Sequence, residues 1–316
     1  MINDAAGAVA SAMLALVGLG VIGVVVRRAG VLDSSGVSGL NRLIIDVTLP
    51  CLALTNVLST FQRADVASYW PLPLAGVGYV VVGQGVGWML CRLLGVPVGR
   101  RGTFINLVGV GNATYLPVPL LTVVFAGQTR EEAFLYLFLF LLGYGPAIWT
   151  TGVLAFQRDA RSQDRPFSKT PFSVTFVAIV LGILLAVTGT GVFIPSIVTN
   201  NLKMLGDVTV PLAMVSVGAT TAGLSTGRGI AWRELAGISV GKLVLLPLAA
   251  WGLTIVIGAP LALTGVLLIE GATPPATSLV ILAERYGGDV ELTGQAIVAT
   301  YLLAILVLPV WLLVVF

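Results

Sequence analysis

Apolar residues run along this chain in stretches of about 20 or more, each ended by a short polar, glycine or proline break. A helix rising 1.5 Å per residue needs roughly 20 residues to cross ~30 Å of hydrocarbon, so each stretch predicts a membrane helix. The spans fall near residues 5–26, 36–60, 67–94, 102–125 and 133–156, then 172–189, 196–224, 232–257, 260–283 and 292–315. The longest charged interruption, QRDARSQDRPFSKT at 157–170, leaves five spans on either side. The expected organisation is a first five-helix repeat over 1–157, a cytoplasmic linker over 158–170 and a second repeat over 171–316.

Composition removes the main alternatives. Hydrophobic residues make up 57% of the 316 and charged residues 10%, against roughly a quarter charged in soluble domains, which excludes a water-soluble globule. The net charge of +3 comes from basic residues placed singly or in small groups between apolar runs, a topology signal and not a nucleic-acid surface. Cys51 and Cys91 lie inside apolar runs and histidine is absent. A disulfide framework, a Cys/His metal site and histidine acid–base chemistry are therefore unavailable, and no cofactor is expected. The opening Met1-Ile2-Asn3-Asp4 lacks a positive leader region while Arg27 and Arg28 follow the first stretch, so that stretch is expected to stay as a helix.

Counted by order, the odd loops carry twelve basic residues (Arg27, Arg28, Arg92, Arg100, Arg101, Arg158, Arg161, Arg165, Lys169, Arg228, Arg233 and Arg285) and the even loops two, Arg63 and Arg130. Basic short loops stay cytoplasmic, which places both termini on the outer side of the cell membrane. Five spans per half then gives the halves opposite orientations.

An internal repeat agrees. Arg42 and Asp46-Val47-Thr48-Leu49-Pro50 in the second span are echoed by Lys203 and Asp207-Val208-Thr209-Val210-Pro211 in the seventh, 161 residues on. A weaker echo joins Gly111-Asn112-Ala113-Thr114, before Pro117 and Pro119, to Glu270-Gly271-Ala272-Thr273, before Pro274 and Pro275, at an offset of 159. An odd number of spans per repeat implies an inverted pair, the plan of secondary transporters.

The second echo falls near mid-membrane: Asn112 is roughly 16 Å along its helix from Arg101. Proline inside a helix strips a hydrogen bond from the carbonyl four residues earlier, so these prolines should free the carbonyls of Ala113, Tyr115, Glu270 and Gly271. Unpaired backbone is tolerated at that depth only against protein or a water-filled cavity. Broken fourth and ninth spans that cross would expose helix N-termini suited to a carboxylate. The candidate substrate site is Asn112, Ala113, Thr114 and Pro117 with Gly271, Ala272, Thr273, Pro274 and Pro275.

Charges within spans mark pathways or buried pairs. Arg42 with Asp46 and Lys203 with Asp207 are spaced i,i+4, which suits either a structural ion pair or an acid that takes the driving proton or cation. Glu270 has no basic residue within a helical turn and is the first choice for a proton carrier. Lys242, about nine residues into the eighth span, suits either snorkelling to the interface or compensation of substrate charge.

TLPCLALTNVL (48–58), GNATYLPVPLL (111–121), TVPLAMVSVGA (209–219), GKLVLLPL (241–248) and the stretch from ATPPATSLVILAERYGGD to Pro309 occur here in that order. Together they resemble the auxin efflux carrier family of bacterial and plant membrane transporters. The resemblance implies ten helices in two inverted repeats, a scaffold and a transport domain, and crossing fourth and ninth helices that hold a carboxylate substrate. It places Asn112 at the asparagine of the first crossover, whereas Gly271-Ala272-Thr273 stands where the resemblance leads one to expect a second. The short linker resembles bacterial carriers of malonate and related acids, and the likeness suggests a homodimer through the scaffold. A sodium-coupled carrier resembling the bile acid symporters is the second reading. An intramembrane enzyme or sensor is the third, without a protease pattern or signalling domain to favour it.

Overall fold

A computed structural model describes residues 2–62, 69–159, 173–224 and 229–315. Most of the predicted linker, 160–170, lies outside them, as do Arg63, Arg161, Arg165, Lys169 and Arg228. The described chain is all-helical: α1 (Ile2–Arg28), α2 (Ser34–Thr60), α3 (Pro71–Leu93), α4 (Arg101–Gly109), α5 (Pro117–Val124) and α6 (Gly127–Asp159). Then come α7 (Val174–Thr188), α8 (Ser196–Ala222), α9 (Trp232–Ile257), α10 (Leu261–Ala272), α11 (Leu279–Tyr286) and α12 (Val290–Val315). Six of these, α2, α3, α6, α8, α9 and α12, are long and apolar enough to cross a membrane.

Local chemistry sets the ends. Asp33 accepts the Gly36 N–H and the Ser35 hydroxyl at the start of α2, and the Gly36 bond foremost holds its carboxyl below the usual range. Ser173 caps α7 in the same way, through the Phe176 N–H at 3.1 Å. The start of α4 is capped from a distance: the Asp159 carboxylate, at the end of α6, accepts the Gly102 and Thr103 N–H groups, each at 2.7 Å. A negative charge there faces the positive end of the helix dipole. Arg100 reaches Asp289 at 2.7 Å, fastening the same corner to the start of α12.

Three of the long helices contain a π-helical turn: Ile44–Thr48 in α2, Ile148–Gly152 in α6 and Gly241–Leu245 in α9. Each lies within a few residues of a proline, namely Pro50, Pro146 or Pro247. In α9 the consequence is visible. Pro247 cannot donate to the Leu243 carbonyl, and the Trp311 indole N–H of α12 takes it instead at 2.8 Å.

The strongest helix contacts fall in pairs. α1 lies along α8 and α2 along α7 and α8; α3 packs on α4 and α6, and α9 on α10 and α12. The pairings are duplicated between the halves, with the first predicted span against the seventh and the sixth against the second. Without a hydrophobic force between helices in lipid, close backbone approach carries the contact. At α3–α6 a Cβ on Gly143 would stand 1.8 Å from the Pro73 carbonyl oxygen, and one on Gly76 2.1 Å from that of Phe140. Only glycine fits either position.

Candidate functional site

The fourth and ninth predicted spans are each interrupted, and the interruptions meet. After Gly109 the chain turns extended at Val110 and turns again through Ala113–Leu116 before α5 begins at Pro117. After Ala272 it is extended at Thr273 and does not become helical until Leu279. Gly111 and Pro275 form an antiparallel bridge: Asn112 N–H donates to Pro274 O at 2.8 Å and Ala276 N–H to Val110 O at 3.3 Å. Two backbone groups that broke from their helices thus pair with each other, which removes much of the penalty for unpaired backbone among buried residues.

The prolines act differently from the expectation that they interrupt a helix from inside. Pro117 and Pro119 lie in the first turn of α5, where the missing N–H has no partner to lose. Pro274 and Pro275 lie in the extended stretch itself. The predicted free carbonyl of Glu270 is real, and it is taken twice, by the Tyr79 hydroxyl at 2.7 Å and the Thr273 hydroxyl at 3.0 Å. On the first break, the Tyr144 hydroxyl donates to Gly111 O at 2.6 Å.

Asn112 is 3% exposed. Its Oδ1 accepts the Tyr115 N–H at 2.9 Å and, more weakly, that of Thr114 at 3.4 Å, while its Nδ2 donates to the Tyr301 hydroxyl at 2.6 Å. The amide therefore caps the turn that leads into α5 and ties it to α12. A cavity of about 220 Å³ opens beside it, lined among others by Gly111, Asn112, Thr114, Tyr144, Thr277 and Ser278.

The remaining candidates fall around this centre or away from it. Ala113 and Thr114 line the cavity and Pro117 starts the adjoining helix. Gly271 faces the other way, since a Cβ there would meet the Pro247 Cα at 2.8 Å. Ala272 and Thr273 are buried behind the bridge. From the second break, Ala276, Thr277 and Ser278 line the cavity, the last two of them polar positions that the proline signal pointed near without reaching.

Lys242 is fully buried, so the snorkelling alternative does not describe it. It lies in the π-helical turn of α9. Its ammonium donates to the Tyr79 hydroxyl at 2.5 Å and abuts the first break, where a Cβ on Gly111 would come within 2.5 Å of it. Glycine at 111 is what lets the ammonium approach the bridge. Glu270 is also fully buried, and neither carboxylate oxygen has a hydrogen-bond partner among the described residues. Holding an ionised carboxylate in such a setting is costly.

The two i,i+4 pairs form and stand apart from this centre. Arg42 meets Asp46 at 4.0 Å on exposed side chains, and Lys203 meets Asp207 at 2.9 Å. Lys203 and Asp207 line a separate crevice of about 910 Å³ between α2, α6, α7 and α8. Exposed pairs of this kind contribute little to stability.

Tyr79, Tyr144 and Tyr301 are the residues that sequence reasoning missed. Each sits in an apolar span with nothing local to distinguish it, and its partner lies 191, 33 or 189 residues away.

Comparison with known proteins agrees with the geometry. A family profile described as membrane transport protein matches residues 8–312. An uncharacterized transporter of Methanothermobacter thermautotrophicus is 24% identical over 304 residues, covering 95% of this chain and 96% of that protein. An uncharacterized transporter of Methanocaldococcus jannaschii is 24% identical over 292 residues, at 89% and 91% coverage. Protein PIN-LIKES 1 of Arabidopsis thaliana is 20% identical over 346 residues, covering 90% of this chain and 73% of its own length. With its two interrupted helical segments paired at a buried polar centre and a family match over almost its whole length, the chain belongs to the membrane transport proteins of the auxin efflux carrier family.

Proposed function

We propose that this protein is a secondary active transporter of a small organic anion, a carboxylate, held where the fourth and ninth spans meet. In this reading the chain crosses the membrane ten times as two inverted repeats. The helices then act as two bodies that alternate the site between the two sides of the membrane. The duplicated helix pairings support the repeat.

The single observation that carries the proposal is the Gly111–Pro275 bridge beside a cavity to which Asn112, Thr114, Thr277 and Ser278 bring polar groups. It fixes backbone N–H groups and the Asn112 amide at one buried point, an arrangement suited to a carboxylate. The Lys242 ammonium lies against the back of the bridge, and the positive charge lowers the cost of bringing an anion there.

Coupling is assigned to Glu270. A buried carboxyl without a hydrogen-bond partner among the described residues changes charge when a proton arrives or leaves, and that change is felt by the neighbouring anion site. Uptake or counterflow in proteoliposomes across a panel of mono- and dicarboxylates tests the transport reading; no flux with any of them sinks it. Glu270→Gln should abolish uptake driven by a pH gradient and spare substrate exchange. A sodium gradient that drives uptake where a pH gradient does not would favour the sodium-coupled reading instead.

A further inference from the structure

We infer that Tyr115 is a positioning residue that couples the anion site to the α2–α8 helix pair, its ring seated between those two helices and its backbone N–H held by Asn112 at the first break. The inference rests on the proposed movement of two bodies, and it adds to that reading the residue through which they grip each other.

Tyr115 belongs to the turn between α4 and α5, and its N–H is held by the Asn112 side chain at 2.9 Å. Its ring leaves that neighbourhood. Only 8% exposed, it packs with Ile44 of α2 and Ala213 of α8 in a small apolar cluster separate from both large cores, with Leu40, Leu212 and Val217 around it. The hydroxyl points to the Asn41 carbonyl at 3.5 Å, and the Asn41 side chain accepts the Ser216 hydroxyl. Asn41 and Ile44 are on α2, Ala213 and Ser216 on α8. The seat is therefore built by two helices that contribute nothing to the bridge.

The neighbouring bond gives this contact a consequence. A substrate carboxylate that takes the Tyr115 N–H from Asn112 pulls on the residue whose ring is lodged between α2 and α8. Relative movement of the two bodies must withdraw the ring from its seat, and while seated the ring favours the conformation described here. An element of this kind biases a two-state equilibrium through its differential contacts in the two states.

The test is a distance measurement in lipid nanodiscs with no substrate added. Cys51 and Cys91 are replaced by alanine, and nitroxide labels are placed through Val31→Cys and Val98→Cys, exposed positions in the α1–α2 and α3–α4 loops. Tyr115→Ala should move the ratio of the two conformations roughly tenfold away from the one described here, seen as growth of a second distance population. Tyr115→Leu, which keeps apolar volume for folding, should move it in the same direction, while Tyr115→Phe should retain most of the original distribution. Distributions unchanged in both Tyr115→Ala and Tyr115→Leu overturn the inference, as does a Tyr115→Phe shift equal to that of Tyr115→Ala. Because no carboxylate is present, this result is independent of the uptake assay, whose failure would overturn the substrate reading alone.

Discussion

The two breaks solve one physical problem by different means. Each must leave a helix in a buried setting and satisfy the backbone groups that the helix no longer pairs. The second break does so largely through covalent structure: Pro274 and Pro275 carry no N–H to satisfy, and the freed Glu270 carbonyl is taken by two hydroxyls. The first break keeps its N–H groups: that of Asn112 goes to the Pro274 carbonyl, and those of Tyr115 and Thr114 are satisfied by a side chain, Asn112 Oδ1. A bond from a side-chain oxygen can be exchanged for one from a ligand oxygen, whereas a missing N–H cannot be. Under the proposed function, ligand exchange belongs to the first break and rigidity to the second.

The sharpest way to break that assignment is Asn112→Asp. The carboxylate would occupy the N–H groups permanently and set a negative charge where the substrate's charge belongs. Two like charges a few ångströms apart in a poorly solvated site repel by several kcal/mol at an effective dielectric near 20. Binding of any carboxylate, read by thermal shift or counterflow, should therefore disappear, a larger loss than the roughly tenfold expected for Asn112→Ala from one hydrogen bond of about 1.4 kcal/mol. Retained uptake in Asn112→Asp would show that the anion sits elsewhere.

Next in size is Tyr144→Phe. Gly111 O receives the Tyr144 hydroxyl at 2.6 Å inside a buried aromatic group with Tyr79 and Phe140. Removing the hydroxyl leaves a buried carbonyl without that donor, a cost of about 1–3 kcal/mol. Thermal unfolding in detergent should fall measurably, and the apparent affinity should weaken because Gly111 lies one residue from Asn112. A variant as stable and as active as the parent would separate the bridge from the function.

How far this centre could be read in the sequence follows from the kind of signal each part leaves. The breaks were legible because proline and asparagine inside an apolar span are locally exceptional, and Glu270 was legible because an isolated acid in hydrocarbon is costly. Lys242 was open between two readings, since its position along the helix allows an interface side chain. What buries it is a π-helical turn and the approach of Gly111, both products of tertiary packing. Tyr79, Tyr144 and Tyr301 left no signal, because a tyrosine in a membrane helix is ordinary and only its distant partner gives it a task. The lining of the second break was displaced to Ala276, Thr277 and Ser278 for a related reason: the prolines lie in the extended stretch, and the chain turns toward the cavity only after them.

The smallest expected effect belongs to Thr273→Val, and it sharpens the comparison from the side of the rigid break. Valine keeps the shape and the extended backbone of the position and removes only the hydroxyl, whose bond to Glu270 O is 3.0 Å long. The carbonyl retains Tyr79 at 2.7 Å, so nothing there is left unpaired and the cost should stay below about 1 kcal/mol. Apparent affinity for the transported acid should then change by less than about fivefold. If the hydroxyl instead turns from the carbonyl to bind substrate, the same change removes a bond to a charged group and affinity drops more than about tenfold. That outcome would make the second break exchangeable as well, and the division of labour between the two breaks would have to be replaced by a symmetric site.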